Sequence, residues 1–266
     1  MRTPLSFIIS IFLFVPFFAK GQEVPDENPL EEALRWERVV FSSDDPGTVN
    51  SALIAKAECY SKAEMPDEAS KTLERVRMYF LDPEAASSVL LLRSRYSKES
   101  GDMGAALGFL EESGQAEDYP ELYSVLLAYS WRLDEAKSQA MLSASSDAGR
   151  DAVMELFKKA PRQRKENLAA ALSFIPPAGQ IYLGRPWEGL LSMILNAGAA
   201  GLTAYELINH DWVSGLLGGG LLLNETFFKA NMEKNISSVD EFNRRSINKF
   251  ALSLEELLEK IRQEGL

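Results

Sequence analysis

The apolar positions fall into three regimes along the chain. Residues 28–160 carry helical periodicity, with few alternating β-branched stretches and a turn signal every 15 to 20 residues. Residues 189–205 then run without a charge, and a second apolar stretch, Trp212 to Leu223, follows a polar break at Asn209-His210-Asp211. Beyond Lys234 helical spacing returns. Val239 and Phe242, then Ile247 and Phe250, fall at that spacing, Ser253-Leu254-Glu255-Glu256 has the capping-box form, and Leu254, Leu257, Leu258 and Ile261 make one apolar stripe. The pattern predicts an all-α chain: a helical domain over 22–160, a membrane hairpin over 161–235 and an amphipathic helix over 236–266. Docking on the helical domain is the default for that last stripe; dimerisation and membrane contact are the alternatives.

The chain opens with the three parts of an export signal, expected over 1–21. Arg2 gives a positive start, Leu5 to Phe18 an apolar run short for a span, and Ala19-Lys20-Gly21 the small residues before a cut ahead of Gln22. An uncleaved anchor is the alternative. Cys59 is the single cysteine, so no internal disulfide forms, and none stands near the cut to take a lipid.

Within 28–160 a repeat emerges when the tyrosines are aligned. Ala57 and Tyr60 precede Asp67-Glu68-Ala69 and Leu73; Tyr96 precedes Asp102, Ala105 and Phe109; Tyr129 precedes Asp134-Glu135-Ala136. The tyrosines are 36 and 33 residues apart, and leucine or valine recurs seven residues before each, at Leu53, Val89 and Leu122. This resembles the tetratricopeptide repeat, a helix–turn–helix unit of about 34 residues. The resemblance implies that Ala69, Ala105 and Ala136 let two helices cross closely beside the tyrosine rings. It also places Arg93 and Leu126 where a small residue is expected, and makes the third unit two residues shorter between Tyr129 and Ala136. Such stacks present a concave surface to a protein partner.

The block Pro176-Pro177-Ala178-Gly179-Gln180-Ile181-Tyr182-Leu183-Gly184, followed by Gly189, resembles a Pro-x-x-Gly-Gln-x-Tyr-x-Gly motif of small bacterial two-helix membrane domains in envelope proteins of unknown function. The resemblance implies contact with the bilayer through 189–205 and 212–228. Tyr182, Trp187 and Arg185 suit the headgroup level. Small residues over Ala197-Gly198-Ala199-Ala200-Gly201, and the step from Gly215 to Gly219, suit close helix packing in lipid. Asn196 and Asn224 are intramembrane amides, expected to bond the facing helix; lining a polar path is the alternative.

Charge and chemistry narrow the function. A net charge of −11 disfavours nucleic acid as a partner. His210 is the single histidine and Gly218-Gly219-Gly220 lacks the lysine of a phosphate loop, so no catalytic, metal or cofactor pattern emerges. The expectation is a non-catalytic scaffold of the bacterial envelope, its repeats holding a protein partner and its hairpin fixing it to the membrane. The alternative is an accessory subunit of a transport or membrane-protein-insertion assembly. Two topological signals conflict. Arg162, Arg164, Lys165, Arg185, Lys229 and Lys234 flank the hairpin while its turn has no Lys or Arg, which favours cytoplasmic flanks. The three-part signal is more specific and places repeats and tail in the periplasm.

Overall fold

Six helices open on a proline at their first position, where a missing N–H is no loss and the fixed φ starts the turn. A computed structural model describes residues 28–175, 177–215, 217 and 229–264. The expected export signal, Pro176, Gly219, Asn224 and most of the 212–228 stretch lie outside the described residues. Among the described residues the regular structure is all helical, with twelve α-helices and no strand. The chain divides into two compact units at Asp82–Pro83, so residues 160 and 235, expected as boundaries, both lie inside the second.

The first unit contains α1 (Pro29–Ser42), α2 (Pro46–Lys62) and α3 (Pro66–Glu74). Asn28 and Asp45 cap α1 and α2 by accepting from Leu30 N at 3.1 Å and Thr48 N at 2.8 Å. Ala33, Leu53, Ala57, Ala69, Leu73 and Val76 are buried where the three helices meet. Two polar ties supplement them. The buried Asn50 amide donates to Arg77 O at 3.0 Å and accepts from Arg77 N at 2.9 Å, fastening the chain after α3. Glu37 of α1 accepts from Lys56 Nζ at 2.7 Å and from Arg75 at 3.1 Å, joining all three segments. Burial pushes the Glu37 carboxyl up, but the Arg75 and Lys56 contacts outweigh it and hold the group below its ordinary value.

The second unit holds α4 (Pro83–Glu99), α5 (Met103–Glu112), α6 (Pro120–Tyr129), α7 (Leu133–Ser143), α8 (Asp147–Lys158), α9 (Glu166–Ser173), α10 (Ala178–Tyr182), α11 (Pro186–Ile208) and α12 (Ala230–Glu264). At 1.5 Å per residue α12 is about 52 Å long. It is unbroken across residue 236, where a separate helix was expected to begin. Its N-terminal part packs on α9 and α10, and its C-terminal part on α6 and α8. Ile247, Phe250, Ala251, Leu254, Leu258 and Ile261 are buried in one core with Leu126, Leu127, Ala136 and Val153. Docking is therefore the fate of the C-terminal stripe.

Three helix pairs, α2/α3, α4/α5 and α6/α7, are joined by one kind of turn. Each has three residues, Ala63-Glu64-Met65, Ser100-Gly101-Asp102 and Ser130-Trp131-Arg132, with the central φ at 58°, 91° and 61°. In each, the third residue's N–H returns to a carbonyl five residues back: Met65 to Tyr60 at 2.9 Å, Asp102 to Ser97 at 2.8 Å and Arg132 to Leu127 at 3.0 Å. This left-handed closure satisfies carbonyls that a helix end leaves open.

Counting from the turn corrects the tyrosine register. Ala57, Ser94 and Ser124 are fully buried, and twelve residues after each stands a fully buried alanine: Ala69, Ala106 and Ala136. Four residues on are Leu73, Leu110 and Ala140, also buried. The close crossing in the second pair is thus at Ala106, and Ala105 is only half-buried because it lies one position nearer the helix start. Ser94 Oγ donates to Ala106 O at 2.7 Å across the same crossing. Arg93 is displaced from it and lies over the half-buried Phe109 ring at 3.9 Å. Tyr96 takes the place held by Cys59 and Leu126, all three buried, whereas Tyr60 and Tyr129 are half-buried and occupy two other positions.

Candidate membrane-anchoring site

The glycine and aromatic block between α9 and α11 grips α12. Ser173, at the end of α9, donates its hydroxyl to Ala169 O at 2.7 Å and accepts from Asn235 Nδ2 at 2.8 Å. Asn235 on α12 is 1% exposed, so this bond satisfies an amide with no access to water. Gly179 makes the approach possible, since a Cβ there would stand 2.5 Å from Asn235 Nδ2 and 3.0 Å from Ser173 Oγ. Gly189 is equally confined, with Pro177 Cβ 2.6 Å from where its own Cβ would be. Gly184, at φ 70°, turns the chain between α10 and α11, and Arg185 N closes that turn on Gln180 O at 2.8 Å. The Gln180 side chain is buried and its Oε1 has no partner among the described residues.

Tyr182 and Arg185 were expected at headgroup level, and both contact protein. Tyr182 Oη accepts from Lys165 N at 3.0 Å, and its ring carries the Arg164 guanidinium at 4.5 Å. Asn243 of α12 holds Arg164 by both backbone groups, accepting from its N at 2.7 Å and donating to its O at 3.0 Å. Arg185 donates to Ser238 of α12 at 2.7 Å and to Glu188 at 2.8 Å, and Lys234 reaches Glu188 at 2.8 Å. Trp187 remains 81% exposed.

Helix α11 leaves this clamp as a bare apolar rod. It is long and apolar enough to cross a membrane by length and composition, and only 6% of its apolar window is buried. At 23 residues it extends about 35 Å, enough for a hydrocarbon core of about 30 Å. Leu191, Ile194, Leu195, Leu202, Tyr205 and Ile208 are all exposed. The other side is small and polar. Ser192 accepts from Asn231 at 2.8 Å, Asn196 Nδ2 donates to Ser192 O at 2.7 Å, and Thr203 donates to Ala199 O at 2.9 Å. Asn196 Oδ1 is buried without a partner among the described residues. Nothing lies within 4 Å of where a Cβ on Gly198 or Gly201 would be.

The chain reverses at Asn209-His210-Asp211 with the turn seen in the helix pairs. His210 has φ 62°, and Asp211 N returns to Glu206 O at 3.0 Å. Asp211 then caps the next segment through Ser214 N at 3.2 Å. Gly215 comes back beside Leu207, whose Cδ2 would be 2.9 Å from a Cβ there.

The sequence reading missed Ser173, Asn235 and Asn243. Asn235, Val239 and Asn243 step by four along α12, so the two amides share the phase of a buried residue. That phase was the available signal. Among the described residues no group of three His, Cys, Asp or Glu side chains could hold a metal. Cys59 is buried, and burial, with Glu32 beside it, pushes its thiol up to about 11, far from reactivity. No family model, curated protein or solved structure matches this chain.

Proposed function

We propose that the protein is a non-catalytic scaffold of the bacterial cell envelope, in which helix pairs hold a protein partner and α11 fixes them to the membrane. The observation that carries this reading is the exposure of an apolar, membrane-length α11 on a base clamped to α12. A soluble protein seldom leaves so much contiguous apolar surface to water. The shared turn and the buried Ala69, Ala106 and Ala136 support a tetratricopeptide-like reading of the pairs. The three-part N-terminus supports export, with repeats and C-terminal tail on the periplasmic side.

Two fixed ends support a hairpin. Gly215 stands beside Leu207, and Asn231 bonds Ser192. Sixteen residues separate Gly215 from Asn231 and fifteen separate Ser192 from Leu207, about 24 and 22 Å at helical rise. This match in length supports the hairpin reading.

Membrane attachment is tested by Leu195→Lys with Leu202→Lys. Both leucines are exposed, so the pair is nearly silent in a water-soluble protein. At the centre of a span each lysine costs about 2.5 to 3.5 kcal/mol. The expected result is loss of the chain from the membrane fraction. A chain already soluble, or a distribution unaffected by the two lysines, refutes the reading.

A second reading has its own support. The open Gly198 and Gly201, on the exposed side of α11, suit a helix from another membrane subunit, as in a transport or insertion assembly. Affinity purification in mild detergent separates the two: a defined multi-subunit membrane complex favours the second, one or two soluble partners the first.

A further inference from the structure

An open cleft of about 520 Å³ lies where the turn into α11 meets α12. Phe242 and Leu183 line it with apolar surface, and Arg185, Arg245 and Lys249 bring three cations to it. Two carboxylates also line it: Glu188, bonded to Arg185 and to Lys234, and Glu241, bonded to Arg245. Lys249 has no ion-pair partner and Ser246 no side-chain hydrogen bond among the described residues, so an ammonium and a hydroxyl are left to a ligand. Three cations therefore meet two carboxylates in the lining. That local surplus is positive in a chain whose net charge is −11.

Place decides what such a surplus meets. The cleft includes Arg185 and Glu188 at the start of α11, and the same first turn carries the exposed Trp187, whose amphipathic ring suits the interface between lipid and water. An acidic protein is repelled by an anionic bilayer as a whole, so a positive cleft at this end is what lets the base of α11 approach one. We propose that the cleft binds the phosphate of an anionic phospholipid headgroup, with Lys249 and Arg245 as the charged contacts and Ser246 as a donor. This rests on the membrane reading of α11. It adds the class of lipid selected and the side chains that select it.

The test uses the full chain purified in mild detergent. Phosphatidylglycerol and phosphatidylcholine of identical acyl chains are added in equal amounts, and retained lipid is counted by native mass spectrometry. Preferential retention of phosphatidylglycerol is expected. Arg245→Ala with Lys249→Ala should reduce the preference by about 25-fold, each basic group near an anionic surface counting for about a fivefold effect. Both residues are exposed, and circular dichroism checks that the variant stays folded. Equal retention of the two lipids overturns the proposal, as does a preference that survives the double variant. Inorganic phosphate, added in a parallel arm, overturns the lipid assignment if it binds while phosphatidylglycerol does not. Failure of the membrane reading looks different, because the chain then fails to enter even vesicles of phosphatidylcholine alone.

Discussion

Gly179→Ala adds one methyl group where the clamp is tightest. The new Cβ would stand 2.5 Å from Asn235 Nδ2, 3.0 Å from Ser173 Oγ and 3.3 Å from Ser173 Cα. Asn235 must therefore retreat by about 1 Å to restore ordinary contact, and its 2.8 Å bond to Ser173 goes with it. Overpacking of this kind costs about 1 to 3 kcal/mol, and a buried amide left without its partner about 1 to 3 more. Against this, alanine gains about 0.5 to 1 kcal/mol over glycine in a helix. The net is a loss of about 1 to 5 kcal/mol. For a unit of this size that lowers Tm by roughly 2 to 20 °C. The assay is thermal unfolding of the full chain in mild detergent, followed by far-UV circular dichroism. Gly108→Ala in α5 is the control, since nothing lies within 4 Å of its added Cβ and only the helix gain applies. With Asn235→Ala as background the clashing atom is gone, so the two losses should not add. A Tm for Gly179→Ala equal to or above that of the unaltered chain would refute the clamp.

Two further expectations test the helix pairs. Ala106→Leu should destabilise by about 1 to 3 kcal/mol, whereas Ala105→Leu, half-buried one position away, should stay within about 0.5 kcal/mol in thermal or urea unfolding; equal effects contradict the turn-based register. Glu37, held below its ordinary value of 4.5, contributes stability that is full above that value and is lost as pH falls through the lower folded value. Hydrogen exchange in α1 should therefore accelerate on acidification in the unaltered chain, and Glu37→Gln should flatten that dependence; an identical acid response in both discounts the tie.

Helix content and the bare α11 were legible because they depend on periodicity and length, which a single sequence carries. The repeat register was legible only in part. Tyrosines are conspicuous, but the geometry is set by a three-residue turn whose left-handed residue is Glu64 in one pair, Gly101 in another and Trp131 in the third. Two of those residues give no turn signal, so the alignment followed the rings and slipped by one at Ala105. The small residues opposite the alanines were hidden as well, because Ser94 and Ser124 read as surface residues until their burial is seen. In the glycine block the sequence did not reveal which neighbours the residues meet. Tyr182 and Arg185 have amphipathic chemistry that serves lipid as well as it serves a buried backbone amide or a facing Ser238. The choice was made by Asn235 and Asn243, 50 or more residues further along the chain, at a distance that spacing cannot reveal.

The most direct measurement of the central claim is thiol accessibility in intact cells. In a Cys59→Ser background, single cysteines replace Ser51 on α2, Asn209 in the hairpin turn and Asp240 on α12, three exposed positions. They are treated with a reagent that crosses only the outer membrane. Attachment through α11 with the helix pairs and tail in the periplasm predicts labelling at 51 and 240 and none at 209. Labelling at all three positions would make the chain a soluble periplasmic protein, and labelling at 209 alone would invert it. Either result contradicts the account.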